Sequence, residues 1–237
     1  AACLAPANDV AIGVASRGAC AVVLVRARVG WFSCRHRAAA VVGQGDWNMV
    51  SEEVRVEFVG YDTLKSTSKI VKYRTQTIKD KPIYHVVLDT TPFYAESGGQ
   101  VGDQGTIRCP SGEIKVTDTV FALPGLRKHI GVLSGEVVAG VEVTAAIDVD
   151  LRNSTRKNHT ATHILHYALR KVLGDHVKQA GSLVSAERLR FDFSHYAPLS
   201  NVEIEQIERI ANAQVLTNSD VKNYETSKEK ATQAGAI

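Results

Sequence analysis

Apolar and polar positions along this chain keep three different rhythms. Over residues 1–34, Ala, Val and Arg follow neither a helical nor a two-residue period. From Glu53 the period becomes two. Val54-Arg-Val56-Glu-Phe58 alternates, Ile83 to Leu88 is an apolar run of buried-strand type, and Glu113 to Val120, His129 to Leu133 and Val141 to Val149 continue the pattern. Roughly five to seven strands are expected. Turn chemistry separates them at Lys81-Pro82, Ser111-Gly112, Pro124-Gly125 and Ala139-Gly140, a spacing that suits a small antiparallel barrel better than a parallel sheet with crossover helices. Residues 51–150 therefore read as one compact β-module.

After Asp150 the period becomes helical. Ile164, Leu165, Ala168, Leu169 and Val172 make an apolar stripe on a helix read from His159 to Leu173, with Asn158 as its cap and Gly174 as its end. A second helix, Val202 to about Leu216, carries Ile204, Ile207, Ile210 and Ala211 on one face. The expected fold is α+β: a small antiparallel β-barrel followed by a helix-containing module over residues 151–237.

Composition changes this picture only at the start of the chain. With 44% hydrophobic and 22% charged residues, the sequence can bury a core and is not disordered throughout. No apolar run approaches the ~20 residues of a membrane span, and Arg17, Arg26 and Arg28 interrupt the Ala/Val-rich start, so no signal peptide is expected. A cytoplasmic location is expected. Residues 1–50 hold five Arg, no Lys and two acids, which accounts for the whole net charge of +3 and leaves the rest neutral. A global basic patch is therefore not expected. Cys3, Cys20 and Cys34 are too widely spaced for a zinc knuckle, and Cys109 stands alone. Residues 1–34 are expected to be non-native or disordered, and 35–50 to form a linker.

Two features carry candidate chemistry. Thr91 to Gly105 is the densest glycine segment, with Gly98, Gly99, Gly102 and Gly105 able to adopt positive φ and to bring the backbone close to a phosphate or the end of a nucleic acid. It lacks the Gly-Lys-Ser/Thr of a nucleotide loop, so a turn-rich strand connection is the competing reading. His159-Thr-Ala-Thr-His163 places two imidazoles one helical turn apart, which is half of a four-ligand zinc site. Thr160 stands where a zinc protease would carry its general base, so a peptidase is not expected. His166 lies one turn further on, but three ligands at i, i+4 and i+7 of one helix rarely close a tetrahedron. Arg152, Arg156, Lys157, Arg170, Lys171, Arg188 and Arg190 gather around this helix in sequence, as a phosphate-contacting face or a solvated one.

The motifs occur in a fixed order. Arg37 to Trp47, Phe58-Val-Gly-Tyr-Asp62, Phe93 to Asp103, the His159–His163 pair, His176 to Val184 and Leu189 to His195 together resemble the alanyl-tRNA synthetases, over roughly residues 35–237. The resemblance is to the β-barrel that follows the aminoacylation core and to the opening half of the editing domain. Free-standing trans-editing deacylases share the barrel and the His pair, whereas Arg37 to Trp47 and Phe58 to Asp62 look like the full synthetase.

The resemblance implies hydrolysis of the ester in Ser-tRNA(Ala) or Gly-tRNA(Ala). A pocket that accepts alanine cannot exclude glycine by clashes and only weakly rejects serine, so a second, hydrolytic site is needed. It further implies zinc on His159 and His163, catalytic roles for Thr162 and Gln179, and tRNA contacts from Arg156, Lys157 and Arg190; His195 is a structural candidate. The family completes the zinc site with a downstream Cys-x3-His that this sequence does not contain, and its ATP- and magnesium-dependent core is not represented. The expected partners are tRNA(Ala) and the remainder of a synthetase chain. The alternative is a tRNA-binding or structural module without catalysis.

Overall fold

The computed structural model describes residues 8–16, 21–29, 47–49, 56–79, 81–136, 140–221 and 226–233, the first two stretches as backbone only. Cys3, Cys20, Cys34 and the stretch from Arg37 to Asp46 lie outside the described residues, as do residues 54 and 55 of the first alternating run.

The strands are β1 (Asn8–Ser16), β2 (Ala21–Val29), β3 (Asn48–Met49), β4 (Glu57–Phe58), β5 (Lys65–Ile78), β6 (Lys81–Leu88), β7 (Thr90–Thr91), β8 (Gly105–Cys109), β9 (Gly112–Leu123), β10 (Leu126–Gly135) and β11 (Glu142–Ile147). Helix α1 (Val149–Leu173) leads to β12 (Gln179–Val184), β13 (Leu189–Phe193), α2 (Asn201–Leu216) and the short α3 (Lys228–Gln233). The result is a mixed α/β, strand-rich architecture with few helices, antiparallel apart from the short β4–β7 pair.

Strands β5, β6, β10, β9, β8 and β11 pair in that order, and β11 pairs back to β5, so their hydrogen bonds run round a closed circuit. Inside it lie Ile70, Val86, Leu88, Ile107, Ile114 and Val143, all nearly or fully buried, supplied by the two-residue alternation. Two of these strands escape pattern reading. β5 (KSTSKIVKYRTQTI) is polar over most of its length, and β8 has only Ile107 as a fully buried apolar residue.

A second core joins α1 and α2 to the sheet of β12 and β13: Leu165, Leu169, Phe191, Phe193 and Ile207 are fully buried or nearly so. Each such side chain contributes roughly 1.5–3 kcal/mol by leaving water. Helix α2 opens with a capping box of Ser200 and Glu203, close to where periodicity predicts it. The sheet continues through β1 and β2, in the order β12-β13-β1-β2. Residues 8–16 and 21–29, within the segment 1–34 expected to be non-native or disordered, are strands of this sheet. They are rich in Val and pair along an edge that β13 would otherwise leave open.

Helix α1 is the larger correction. It begins ten residues before His159, where Asp148 caps it by accepting from the backbone amides of Asp150 (3.1 Å) and Leu151 (3.0 Å). Asn158 is not its cap. That residue is buried within the helix, and its Nδ2 donates to the carbonyls of Ser185 (2.7 Å) and Ala186 (3.3 Å). The first turns were hidden because their buried positions, Arg152, Thr155 and Asn158, are polar.

Arg152 ties the two cores together. Its Nε donates to both carboxylate oxygens of Asp103 (2.9 and 3.0 Å), its Nη1 to the carbonyl of Gly60 (2.9 Å), and its Nη2 to Asp103 and the carbonyl of Pro92 (3.0 Å). Gly60 is required there, since a Cβ would sit 2.1 Å from the Pro92 oxygen. Arg152 is thus a buried joint and not the phosphate-facing cation that sequence proximity suggests.

Candidate functional site: the histidine helix and the glycine loop

His159 and His163 share one flank of α1, with ring centroids 5.2 Å apart and planes inclined by 23°. The spacing of four residues produces this stacking directly. His159 is half-buried and His163 exposed. Nδ1 of His159 lies 2.7 Å from Oε1 of Gln100. A carbonyl oxygen only accepts, so Nδ1 carries the proton and Nε2 holds the lone pair. Among the described residues, neither Nε2 of His159 nor the His163 ring has a further hydrogen-bond partner. Burial, and then the neighbouring His163, hold the pKa of His159 below its ordinary value, so the ring is neutral near pH 7, the form in which imidazole binds a metal ion.

Gln100 comes from the glycine-rich segment, 59 residues away in sequence. The loop is fastened to β12, which runs beside α1. Val101 N–H donates to the Val184 carbonyl (3.0 Å), and Val184 N–H to the Gly99 carbonyl (2.7 Å). Gly99 has φ +84°, and a Cβ there would come within 2.5 Å of the Ser182 carbonyl oxygen. The glycines therefore allow a close approach of two backbones. Sequence reasoning singled out this loop but not Gln100. The available signal was a polar residue inside the densest glycine run.

The other candidates are placed unevenly. Thr162 is buried beside the pair, with its hydroxyl donating to the Asn158 carbonyl at 2.9 Å, the back-bond that threonine commonly makes within a helix. Gln179 opens β12 and is exposed; its side chain hydrogen-bonds neither imidazole. His166 Nε2 faces the Val177 carbonyl at 3.5 Å, and its ring lies against Phe191, so it packs on the sheet. His195 meets His176, Nδ1 to Nε2 at 2.9 Å with the rings stacked, and not the His159–His163 pair.

The basic residues do not form a single face. Arg156 and Lys157 are both exposed, but Lys157 is two positions from His159, ~200° round the helix axis, and so projects away from the pair. Arg190 is paired with Asp192 at 3.1 Å, Arg170 with Asp175 at 2.6 Å, and Lys171 lies over the Tyr167 ring.

The family described as tRNA synthetases class II (A) matches residues 35–151. The chain is 42% identical over 220 residues to the alanine–tRNA ligase of Solibacter usitatus, covering 90% of this chain and 24% of that protein. It is 44% identical over 204 residues to the alanine–tRNA ligase of Cytophaga hutchinsonii, covering 86% and 23%. With that of Delftia acidovorans it shares 48% over 185 residues, covering 75% and 21%.

The chain belongs to the alanine–tRNA ligase family. It spans about a quarter of the length of the curated relatives it matches. The Solibacter usitatus similarity covers more of this chain than residues 35–237 alone supply, so it reaches into the segment before residue 35. A span of that extent also necessarily includes His159 to His163, which lie beyond the end of the family match at residue 151. No helix among the described residues is long and apolar enough to cross a membrane.

For this family member the fit to a zinc ion is that of two donors. His159 offers a neutral ring with its second nitrogen already hydrogen-bonded, as metal-ligating histidines usually do. Among the described residues, no set of three or more His, Cys, Asp and Glu side chains gathers to hold a metal. A tetrahedral site would draw two further donors.

Proposed function

We propose that this chain is the part of an alanine–tRNA ligase that removes serine or glycine from mischarged tRNA(Ala) by ester hydrolysis. In this reading the closed circuit of six strands is a small β-barrel, and residues from α1 onward belong to the editing module. The observation that carries it is the His159–His163 pair, with one ring already oriented by Gln100 and its lone pair open. Family membership supports it.

A zinc ion held by His159, His163 and two further donors would supply a Lewis acid for the aminoacyl ester. Thr162 gives its proton to the Asn158 carbonyl, so its oxygen keeps lone pairs that can accept from the hydroxyl of serine. Gln179, at the open end of β12, would contact the aminoacylated end, and Arg156, Lys157 and Arg190 the phosphates. The working partners are tRNA(Ala) and the rest of the synthetase. The aminoacylation reaction, with its ATP and magnesium, belongs to other parts of the relatives' length.

The test is release of serine from Ser-tRNA(Ala) by a longer version that includes the relatives' downstream Cys-x3-His, compared with its His159→Ala variant. Hydrolysis that disappears in the variant is expected. A folded, zinc-loaded protein that leaves Ser-tRNA(Ala) intact overturns the reading. The presence of only two gathered donors among the described residues favours one alternative, a tRNA-binding module without chemistry. Undiminished tRNA affinity without hydrolysis would select it.

A further inference from the structure

We propose that Gln100 is a positioning residue that sets the tautomer of His159, holding the proton on Nδ1 so that Nε2 is the nitrogen left for a metal ion. The inference rests on the metal-binding reading of the histidine pair. A neutral imidazole in water favours the opposite tautomer, with the proton on Nε2. A metal ion meeting that form would have to wait for the proton to move, or bind the wrong nitrogen.

The loop around Gln100 is built to hold one acceptor in one place. Gln100 is 7% exposed. Its backbone exchanges two hydrogen bonds with Ser97, N–H to O at 3.0 Å and O from N–H at 3.1 Å. Gly98 and Gly99 between them take φ of +59° and +84°, a conformation that residues with a Cβ rarely adopt. The two bonds to Val184 flank Gln100 on either side. Four backbone hydrogen bonds thus fix a side chain that, among the described residues, makes a single hydrogen bond, to the ring of a histidine on α1. A loop that only connected strands would need none of this.

Oxygen, not nitrogen, faces the ring, and this orientation has a consequence. Were the amide turned round, its N–H would donate to Nδ1, the ring proton would move to Nε2, and the lone pair facing solvent would be lost. The proposal therefore predicts a spectroscopic property of the protein without metal or tRNA.

The decisive measurement is the 15N shift pair of the His159 ring in the full chain at about pH 8, where the imidazole is neutral. The expected result is a protonated-type Nδ1 and an unprotonated-type Nε2. Gln100→Leu should return the ring to the Nε2–H form, and Gln100→Glu, whose carboxylate also accepts, should retain the Nδ1–H form. Should the leucine variant fail to fold, Gln100→Asn, one methylene shorter, makes the same test. Titration with Co2+ should show affinity falling roughly 10–100-fold in Gln100→Leu and kept in Gln100→Glu, the usual consequence of removing a partner of a metal-binding histidine. A wild-type ring with its proton on Nε2, a tautomer unmoved by Gln100→Leu, or equal Co2+ affinities in wild type and leucine variant would each overturn the proposal. A tautomer that follows residue 100 while Ser-tRNA(Ala) is never hydrolysed would sink the proposed function alone.

Discussion

His129 in the strand-rich region and His159 on the helix carry their protons on the same nitrogen, yet only one is equipped for chemistry. Nδ1 of His129 donates to the Val86 carbonyl at 3.0 Å, so its Nε2 accepts from the Thr91 hydroxyl at 2.8 Å, and that oxygen in turn accepts from the Phe93 amide at 3.1 Å. Both ring nitrogens of His129 and the Thr91 hydroxyl thus have partners, and His129 is 1% exposed. His159 has the same first bond, to Gln100, and no partner on the second nitrogen among the described residues. A histidine becomes a candidate ligand through the nitrogen its fold leaves open, and burial alone does not distinguish the two cases.

The comparison can be tested by removing partners, and the largest effect is expected where a charge is stranded. Arg152→Met leaves Asp103 buried without its cation and should cost ~3–5 kcal/mol in urea unfolding. A loss below ~1 kcal/mol would mean that the polar groups of this region are not closed as described.

Acid should come next. Burial first, moderated by its backbone hydrogen bond to Val86, holds the pKa of His129 near 4, below its ordinary 6.5. A group with a depressed folded-state pKa supports stability fully above the unfolded value; the unfolded chain takes up its proton first as pH falls. Stability is therefore expected to drop by about 3 kcal/mol between pH 6.5 and 4, with His85, also held near 4 by burial, Lys128 and Arg74, acting in the same direction. Urea midpoints that stay flat across this window would break the comparison. His129→Leu should cost about 2 kcal/mol through the unpaired Thr91 and Val86 oxygens, and should make the acid response shallower. The smallest effect on stability belongs to His159→Ala, below ~1 kcal/mol, although Co2+ binding should be lost and, under the proposed function, serine release by the longer version with it. A variant at His159 as destabilising as one at His129 would erase the distinction between them.

Much of this was legible from pattern. The strands around Leu88, Val116 and Ile130, the loop after Thr91, the extent of α2 and the end of α1 at Gly174 follow from period and turn chemistry. The His159–His163 pair was legible because four residues of helix suffice to bring the rings together. What escaped was polar and buried, or polar and long. Strand β5 lacks an apolar run because its pairing on both sides, with β6 and β11, supplies what its side chains do not. The start of α1 buries Arg152, Thr155 and Asn158, which no hydrophobic period detects. Gln100 could not be assigned its place because its partner is 59 residues away, and nothing in a glycine-rich loop says which backbone it will meet.

The joint at Arg152 bears on cooperativity. One guanidinium reaches Asp103, Gly60 and Pro92 from the first turn of a helix whose later turns belong to the other core. A cut at residue 150, where hydrophobic rhythm changes and a boundary is easily drawn, would leave Asp103 uncompensated on one side and Arg152 on the other. The described part of the chain should therefore melt as a single calorimetric unit, with equal van't Hoff and calorimetric enthalpies. Separately expressed halves should each be less stable than their sequence patterns suggest.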